Sequence, residues 1–257
     1  MQMKKTGLVL SGGGVRGLAH LGILKVLDEQ GIKFSAISGT SAGAIVGAFY
    51  SAGFKPDEIL DIFRKTKFFG FSNLLFGKAG LFDMKTFESV YHTYFPGNRI
   101  EDLPIPLHIT ATDIVKGELC YFSSGNLAKA LMASSCVPLV FQPVAHNDSI
   151  YLDGGILNNF PIEPLEGISD QIIGLHVNSI SSKLDEIHMK DMLDRSFQLA
   201  LRGQFNSKSA RCSITFEPPG MSRFGLFDLS LADEIFDFSY QYAQTRVTEL
   251  RALFEMA

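Results

Sequence analysis

The chain has 257 residues, long enough to bury a full core and better suited to one large α/β domain than to two small ones. Hydrophobic residues make up 46% and charged residues only 19%, which excludes an extended disordered chain. The formal net charge of -4 comes with no bunching of basic residues, so a nucleic-acid backbone has no electrostatic partner here. No run reaches the roughly 18 uninterrupted apolar residues of a membrane span.

Cys120, Cys136 and Cys212 are odd in number and lack zinc-type spacing, which predicts buried thiols in a reducing compartment and no metal. Lys4 and Lys5 precede a short apolar run, but glycines and Arg16 interrupt it too early for a signal peptide. The simplest expectation is a cytoplasmic protein, with transient contact at a membrane surface left open and the oligomeric state undetermined.

Thr6 to Ser11 reads as a first strand feeding Gly12-Gly13-Gly14-Val15-Arg16-Gly17, after which Leu18, Leu21, Leu24 and Leu27 recur at helical spacing as far as Gly31. A second extended run, Phe34 to Ile37, leads into Gly39-Thr40-Ser41-Ala42-Gly43, and a small-residue helix follows to Ala52. The strand, turn and helix around Ser41 read as a nucleophile elbow, with Ala42 opening the helix behind the hydroxyl. Glycine is frequent here, so the Gly-x-Ser-x-Gly spacing alone is weak and its setting carries the inference.

The first glycine loop admits two uses. Gly12-x-Gly14-x-x-Gly17 satisfies the dinucleotide fingerprint, but that reading needs an acidic residue at the end of the second strand, where Ser38, Gly39, Thr40 and Ser41 stand instead. The other use is an oxyanion hole, in which the N–H groups of Gly12, Gly13 and Gly14 converge on one negative oxygen. Arg16 then steadies the loop, faces an anion, or is simply solvated.

Gly53 to Phe95 reads as helical with one break: Pro56 opens one helix and Asp83 caps another over Met84 to Tyr94. The aromatic-rich segment between them, 68–82, suggests a lid, an acyl-chain wall or plain packing over the sheet. Leu107 to Asp113 alternates like a strand and turns at Lys116-Gly117 toward a partner, Leu119 to Ser123. Asn126 caps a short helix to Ser134, and Pro143 to Asp153 reads as a hairpin turning at Asn147-Asp148. Ile172 to Val177 and Ser213 to Phe216 are further strands, and two long helices are expected, near Leu184 to Asn206 and Leu231 to Phe254.

A serine nucleophile needs a base. Of six histidines, His176 is the best placed and would complete a Ser-Asp-His order, whereas His20, His92, His108, His146 and His188 have no compelling setting. Asp153 is better motivated, because the glycines after it leave room for a carboxylate to meet a hydroxyl. Desolvation would have to raise its basicity.

The three glycine-rich motifs, in this order and beginning near residue 12, together with Ala133-Ser134-Ser135-Cys136-Val137-Pro138, resemble the patatin-like phospholipase family over about Thr6 to Pro164. The resemblance implies a three-layer α/β/α sandwich with a mainly parallel central sheet, a Ser-Asp dyad of Ser41 and Asp153, an oxyanion hole at Gly12, Gly13 and Gly14, and hydrolysis of lipid acyl esters without a cofactor. One domain over residues 1–257 is expected, its C-terminal helices lying outside the resemblance. An α/β-hydrolase-type triad, a dinucleotide-binding protein and a lipid-binding module without turnover remain as alternatives.

Overall fold

A computed structural model describes residues 4–66, 80–82, 84–180, 189–226 and 228–255. Strand β1 (Thr6–Leu10) ends in a 3-10 turn, Gly14–Leu18, that runs into α1 (Ala19–Glu29). The end of α1 closes as its residues suggest: Gly31 N–H donates to Asp28 O and Ile32 N–H to Leu27 O. β2 (Ala36–Thr40) and α2 (Ala42–Ser51) flank Ser41, and α3 (Pro56–Lys65) begins with proline at its first position.

The expected single break between helices is instead occupied in part by a strand. β3 (Gly80–Phe82) precedes α4 (Lys85–Tyr94) and pairs in parallel with a strand not foreseen, Leu139–Phe141. Met84 holds the cap position of α4; the expected cap, Asp83, and the aromatic residues of segment 68–82 up to 79 lie outside the described residues.

β4 (Leu107–Asp113) and β5 (Glu118–Phe122) form the expected antiparallel pair, and α5 (Leu127–Ser134) is capped by Asn126, whose Oδ1 accepts Lys129 N–H at 2.8 Å. After β6 (Leu139–Phe141), β7 (Val144–His146) and β8 (Ser149–Asp153) make the hairpin, with Asn147 and Asp148 both at positive φ as a tight primed turn requires. Then come α6 (Gly155–Asn158), β9 (Gln171–Leu175), α7 (Met189–Ser209) and β10 (Ile214–Phe216). Residues 184–188 of the expected penultimate helix, His188 included, lie outside the described residues.

The last helix proves to be two, α8 (Ala232–Gln244) and α9 (Val247–Glu255). At the break, Thr245 turns its hydroxyl back to Tyr242 O (2.7 Å), and Arg246 reaches out to Thr215 O at 2.8 Å. The thiols differ from expectation too, since Cys136 is buried but Cys120 and Cys212 are half-buried.

Strands β10, β9, β1, β2 and β4 run parallel, and β8, β7 and β5 run antiparallel to their neighbours. Every residue of β1, β2 and β9 is buried, as strands covered on both faces must be. Leu8, Leu10, Ile37, Ile173 and Leu175 face the larger core, closed by α1, α2, α3 and α8, whereas Val9, Ala36 and Ile172 face a smaller one with Phe160, Leu165 and Phe205 of α7. Helices on both faces give the α/β/α sandwich with a mainly parallel sheet.

The register carries one consequence for the site. Ile109 and Thr110 of β4 pair with Gly39 and Thr40 of β2 and also with Phe122 and Tyr121 of β5, so β2 and β5 lie on opposite flanks of β4. Ala111, Thr112 and Asp113 pair with β5 and with Asp153, Leu152 and Tyr151 of β8. A strand has only two flanks, so β2 and β8 share one and run head to head along it. They meet between Thr110 and Ala111, where each turns away.

α2 is apolar all round and wholly buried, and its first turn lies close under the sheet. A Cβ on Gly43 would stand 2.6 Å from Ser11 O and nearer still to Leu10 O, both backbone atoms. Gly43→Ala is therefore expected to destabilise the fold by about 3 kcal/mol or to prevent folding, read from the midpoint of denaturant unfolding. An unshifted midpoint would show that α2 stands further from β1 than the structure has it.

Candidate active site

The head-to-head strands deliver Ser41 and Asp153 to one point. Ser41 follows β2 with φ 54° and ψ -123°, a backbone conformation disfavoured for serine that holds the side chain at the tip of the turn. Gly39 makes this possible, because a Cβ there would lie 2.7 Å from Ala44 N. Ser41 N–H donates to Ser134 Oγ at 2.8 Å, and Thr40 Oγ1 donates to Asn158 O at 2.8 Å.

Asp153 closes β8. Its N–H donates to Cys136 O (2.9 Å), its carbonyl accepts from Thr112 Oγ1 (3.0 Å), and Gly154 N–H donates to Ser134 O at 3.3 Å. Ser134, the last residue of α5, thus braces both turns, through its hydroxyl on the serine side and its carbonyl on the aspartate side. The Asp153 carboxylate accepts from Gly155 N–H at 2.7 Å, and the neighbouring Ser41 hydroxyl, like that N–H, favours its ionised form. Both residues are almost enclosed, Ser41 at 8% and Asp153 at 7% exposure. Burial pushes the Asp153 carboxyl up to about 6 against the pull of those two groups.

A cleft opens over the pair, lined by Gly13, Gly14, Arg16, Ser41 and Asp153, by Val137, Pro138, Leu201 and Leu226, and by Asn159, Asn178 and Gln198. Gly12 is not among the lining residues. Its N–H donates to Asn159 O at 3.2 Å, and Val15 N–H donates to Leu226 O at 2.8 Å. Between them, the N–H groups of Gly13 and Gly14 have no acceptor among the described residues. Gly14 has φ 56°, and the Leu226 carbonyl fills the space a side chain there would need. Of the three glycines expected to donate, two face the cleft and one is spent.

Arg16 is not the solvated side chain that was one expectation: it is 3% exposed, and its Nε–H donates to Phe224 O at 2.7 Å, tying the glycine loop to the segment before α8. Ala42 is buried as the first residue of α2, whose first-turn N–H groups lack intrahelical acceptors and put the positive end of the helix at the elbow.

His176 stands elsewhere. Its ring stacks on Phe205 (centroids 3.9 Å apart, planes at 11°), its Nδ1 lies 3.1 Å from Glu217 Oε1, and burial holds its basicity below that of a free imidazole. His20 bonds Ser11 O at 2.8 Å, and burial brings it down to about 4. No described histidine lines the cleft, so the Ser-Asp-His arrangement is not assembled. The local geometry does not suit a dinucleotide either, because Gly14 and Gly17 lie in a 3-10 turn ahead of α1 rather than at its first turn, and the Leu226 carbonyl packs on Gly14. Among the described residues no cluster of His, Cys, Asp or Glu could hold a metal ion, and no helix is long and apolar enough to cross a membrane.

Asn159, Asn178 and Gln198 have no place in the sequence motifs, and Ser134 figures there only within the Ala133 to Pro138 stretch, with no role of its own. For the asparagines the signal was local: two of them after Asp153-Gly154-Gly155, and polar residues at 176, 178 and 179 just beyond an otherwise apolar strand.

Residues 8–166 match the model of the patatin-like phospholipase family, and the chain belongs to that family. A lysophospholipase nte1 of Aspergillus fumigatus is 30% identical over 201 residues, 72% of this chain but 13% of the fungal protein. An uncharacterized NTE family protein of Mycobacterium tuberculosis is 32% identical over 178 residues, 68% of this chain and 49% of its own length. The chain thus spans about half of the mycobacterial relative and a small part of the fungal one. Among solved structures, VipD from Legionella pneumophila superposes with a TM-score of 0.52 at 15% identity, over 95% of this chain and 67% of that one, a likeness of fold.

The folded Asp153 carboxyl titrates near 6, above its ordinary 3.8, so the fold favours the protonated form and stability falls as pH rises from about 4 through 6. Asp153→Asn is therefore expected to stabilise the protein at pH 7.5 by up to about 3 kcal/mol, with the gain shrinking toward zero near pH 4. Denaturant midpoints at the two pH values measure it. A gain that does not change with pH would mean the carboxylate is not desolvated.

Proposed function

We propose that this chain is a single lipid acyl-ester hydrolase domain, of the phospholipase A or lysophospholipase type, working through a Ser41–Asp153 dyad. The observation that carries the reading is that Ser41 and a buried, basicity-raised Asp153 carboxylate line one cleft with Gly13 and Gly14, whose N–H groups have no acceptor among the described residues. An aspartate of ordinary pKa is a feeble base, and desolvation brings this one closer to the working range of a general base. Asp153 takes the hydroxyl proton as Ser41 Oγ attacks the ester carbonyl. The N–H groups of Gly13 and Gly14, rather than all three glycines, then receive the charge of the tetrahedral intermediate.

As that intermediate collapses, the proton on Asp153 passes to the leaving alcohol and Ser41 is left acylated. Water, deprotonated by the same carboxylate, attacks the acyl carbonyl, releases the fatty acid and returns the proton to Ser41. Val137, Pro138, Leu201 and Leu226 give the cleft an apolar wall for an acyl chain. The substrate class follows from family membership, the curated relatives' name of lysophospholipase and this lining. Contact with a membrane surface during substrate capture is part of the same proposal.

Ser41→Ala and Asp153→Ala should each lower kcat for a short-chain aryl ester by roughly a thousandfold or more, and His176→Ala should not. A fluorophosphonate should label wild type at Ser41, and kcat should fall below about pH 6 as Asp153 protonates. Full turnover in folded Asp153→Ala with loss in His176→Ala would reinstate a histidine base, and an unlabelled Ser41 would end the enzyme reading.

A further inference from the structure

The Gly12 carbonyl is held by two buried carboxamides that the dyad chemistry does not use. Asn178, 2% exposed, donates to it from Nδ2 at 2.6 Å, and Asn159, 3% exposed, at 3.4 Å. No cis peptide occurs among the described residues, so the Gly12–Gly13 link is trans and planar, with its C=O and N–H pointing in opposite directions. Drawing the Gly12 oxygen toward Asn178 therefore turns the Gly13 N–H the other way. Gly13 lines the cleft beside Ser41, and its N–H has no acceptor among the described residues.

We propose that Asn178 is a positioning residue for the reaction: its carboxamide fixes the Gly12–Gly13 peptide so that the Gly13 N–H meets the oxyanion. This rests on the dyad reading of Ser41. Asn178 rather than Asn159 sets the orientation because its bond is much the shorter, while Asn159 is also engaged through its own backbone, its N–H donating to Gln204 Oε1 (2.7 Å) and its O accepting from Gly12. The backbone brings Asn178 there rigidly: His176 N–H donates to Phe216 O at 2.9 Å and Val177 N–H to Ser11 Oγ at 3.1 Å. Packing alone would not ask for a donor at this position. The peptide orientation does, because an acceptor would repel the Gly12 oxygen.

The test uses Asn178→Ala and the near-isosteric Asn178→Asp, which replaces the donor with an acceptor. Both should lose roughly 10- to 100-fold in kcat toward a short-chain ester with KM within about threefold. Affinity for a trifluoromethyl ketone, which forms a tetrahedral adduct with the serine, should fall in the same proportion, while affinity for the product fatty acid stays unchanged. A kcat within threefold of wild type in either folded variant overturns the proposal. So does a kcat loss without loss of ketone affinity, or one accompanied by equal loss of fatty-acid binding. Should Asn178→Ala not fold, Asn178→Asp alone decides. A wild type unlabelled by fluorophosphonate would strike the dyad reading itself, whereas a labelled wild type with fully active variants strikes only the role of Asn178.

Discussion

Two strands that run toward each other along one flank of β4 make the rest of this site possible. A parallel α/β sheet ordinarily presents functional groups at the carboxyl ends of its strands, with neighbours separated by a strand spacing. Here β2 arrives from one direction and β8 from the other, and both carboxyl ends fall at the same level of β4. Ser41 and Asp153 are then brought together without an intervening strand or a bridging imidazole. The distance between them is set by β4 hydrogen-bond register, the least adjustable ruler a sheet has.

This arrangement has local costs. A serine at positive φ carries roughly 1–3 kcal/mol of strain, and a buried ionised carboxylate adds a desolvation penalty. Both are held in place from the surroundings. α2 is apolar throughout and anchored in the larger core, so the elbow cannot relax without pulling the helix out of it. Ser134 ties the two turns to the end of α5, and Arg16 ties the glycine loop to Phe224. In the dyad proposed above, the raised pKa of Asp153 is the chemical return on its burial, since a solvated carboxylate would be too weak a base for an alcohol.

Much of this could be read in the sequence because the determining residues are glycines and caps, whose reasons are local. The Gly39 and Gly43 pair, the Asn147-Asp148 turn, the Asn126 cap and Pro56 each announced an element by its own stereochemistry. The family was legible as soon as three motifs were read in order. What was not legible depends on long-range partners. β6 becomes a strand only by pairing with β3, and Thr245-Arg246 breaks the last helix through a bond to Thr215. That Gly12 spends its N–H on Asn159, while those of Gly13 and Gly14 meet no acceptor among the described residues, depends on a residue 147 positions away. Arg16, equally open to solvent or loop in the sequence, was decided by the segment around Phe224. Glycines show where a backbone may bend, but not which of its amides remains unengaged.

The most direct measurement is a crystal structure of the protein inactivated by a small phosphonylating ester. The account predicts phosphorus on Ser41 Oγ, its unesterified oxygen within hydrogen-bond distance of the Gly13 and Gly14 nitrogens, and the Asp153 carboxylate beside Ser41 with no imidazole between. An adduct whose oxygen turns away from those two amides, or a histidine swung into contact with Ser41, would contradict it.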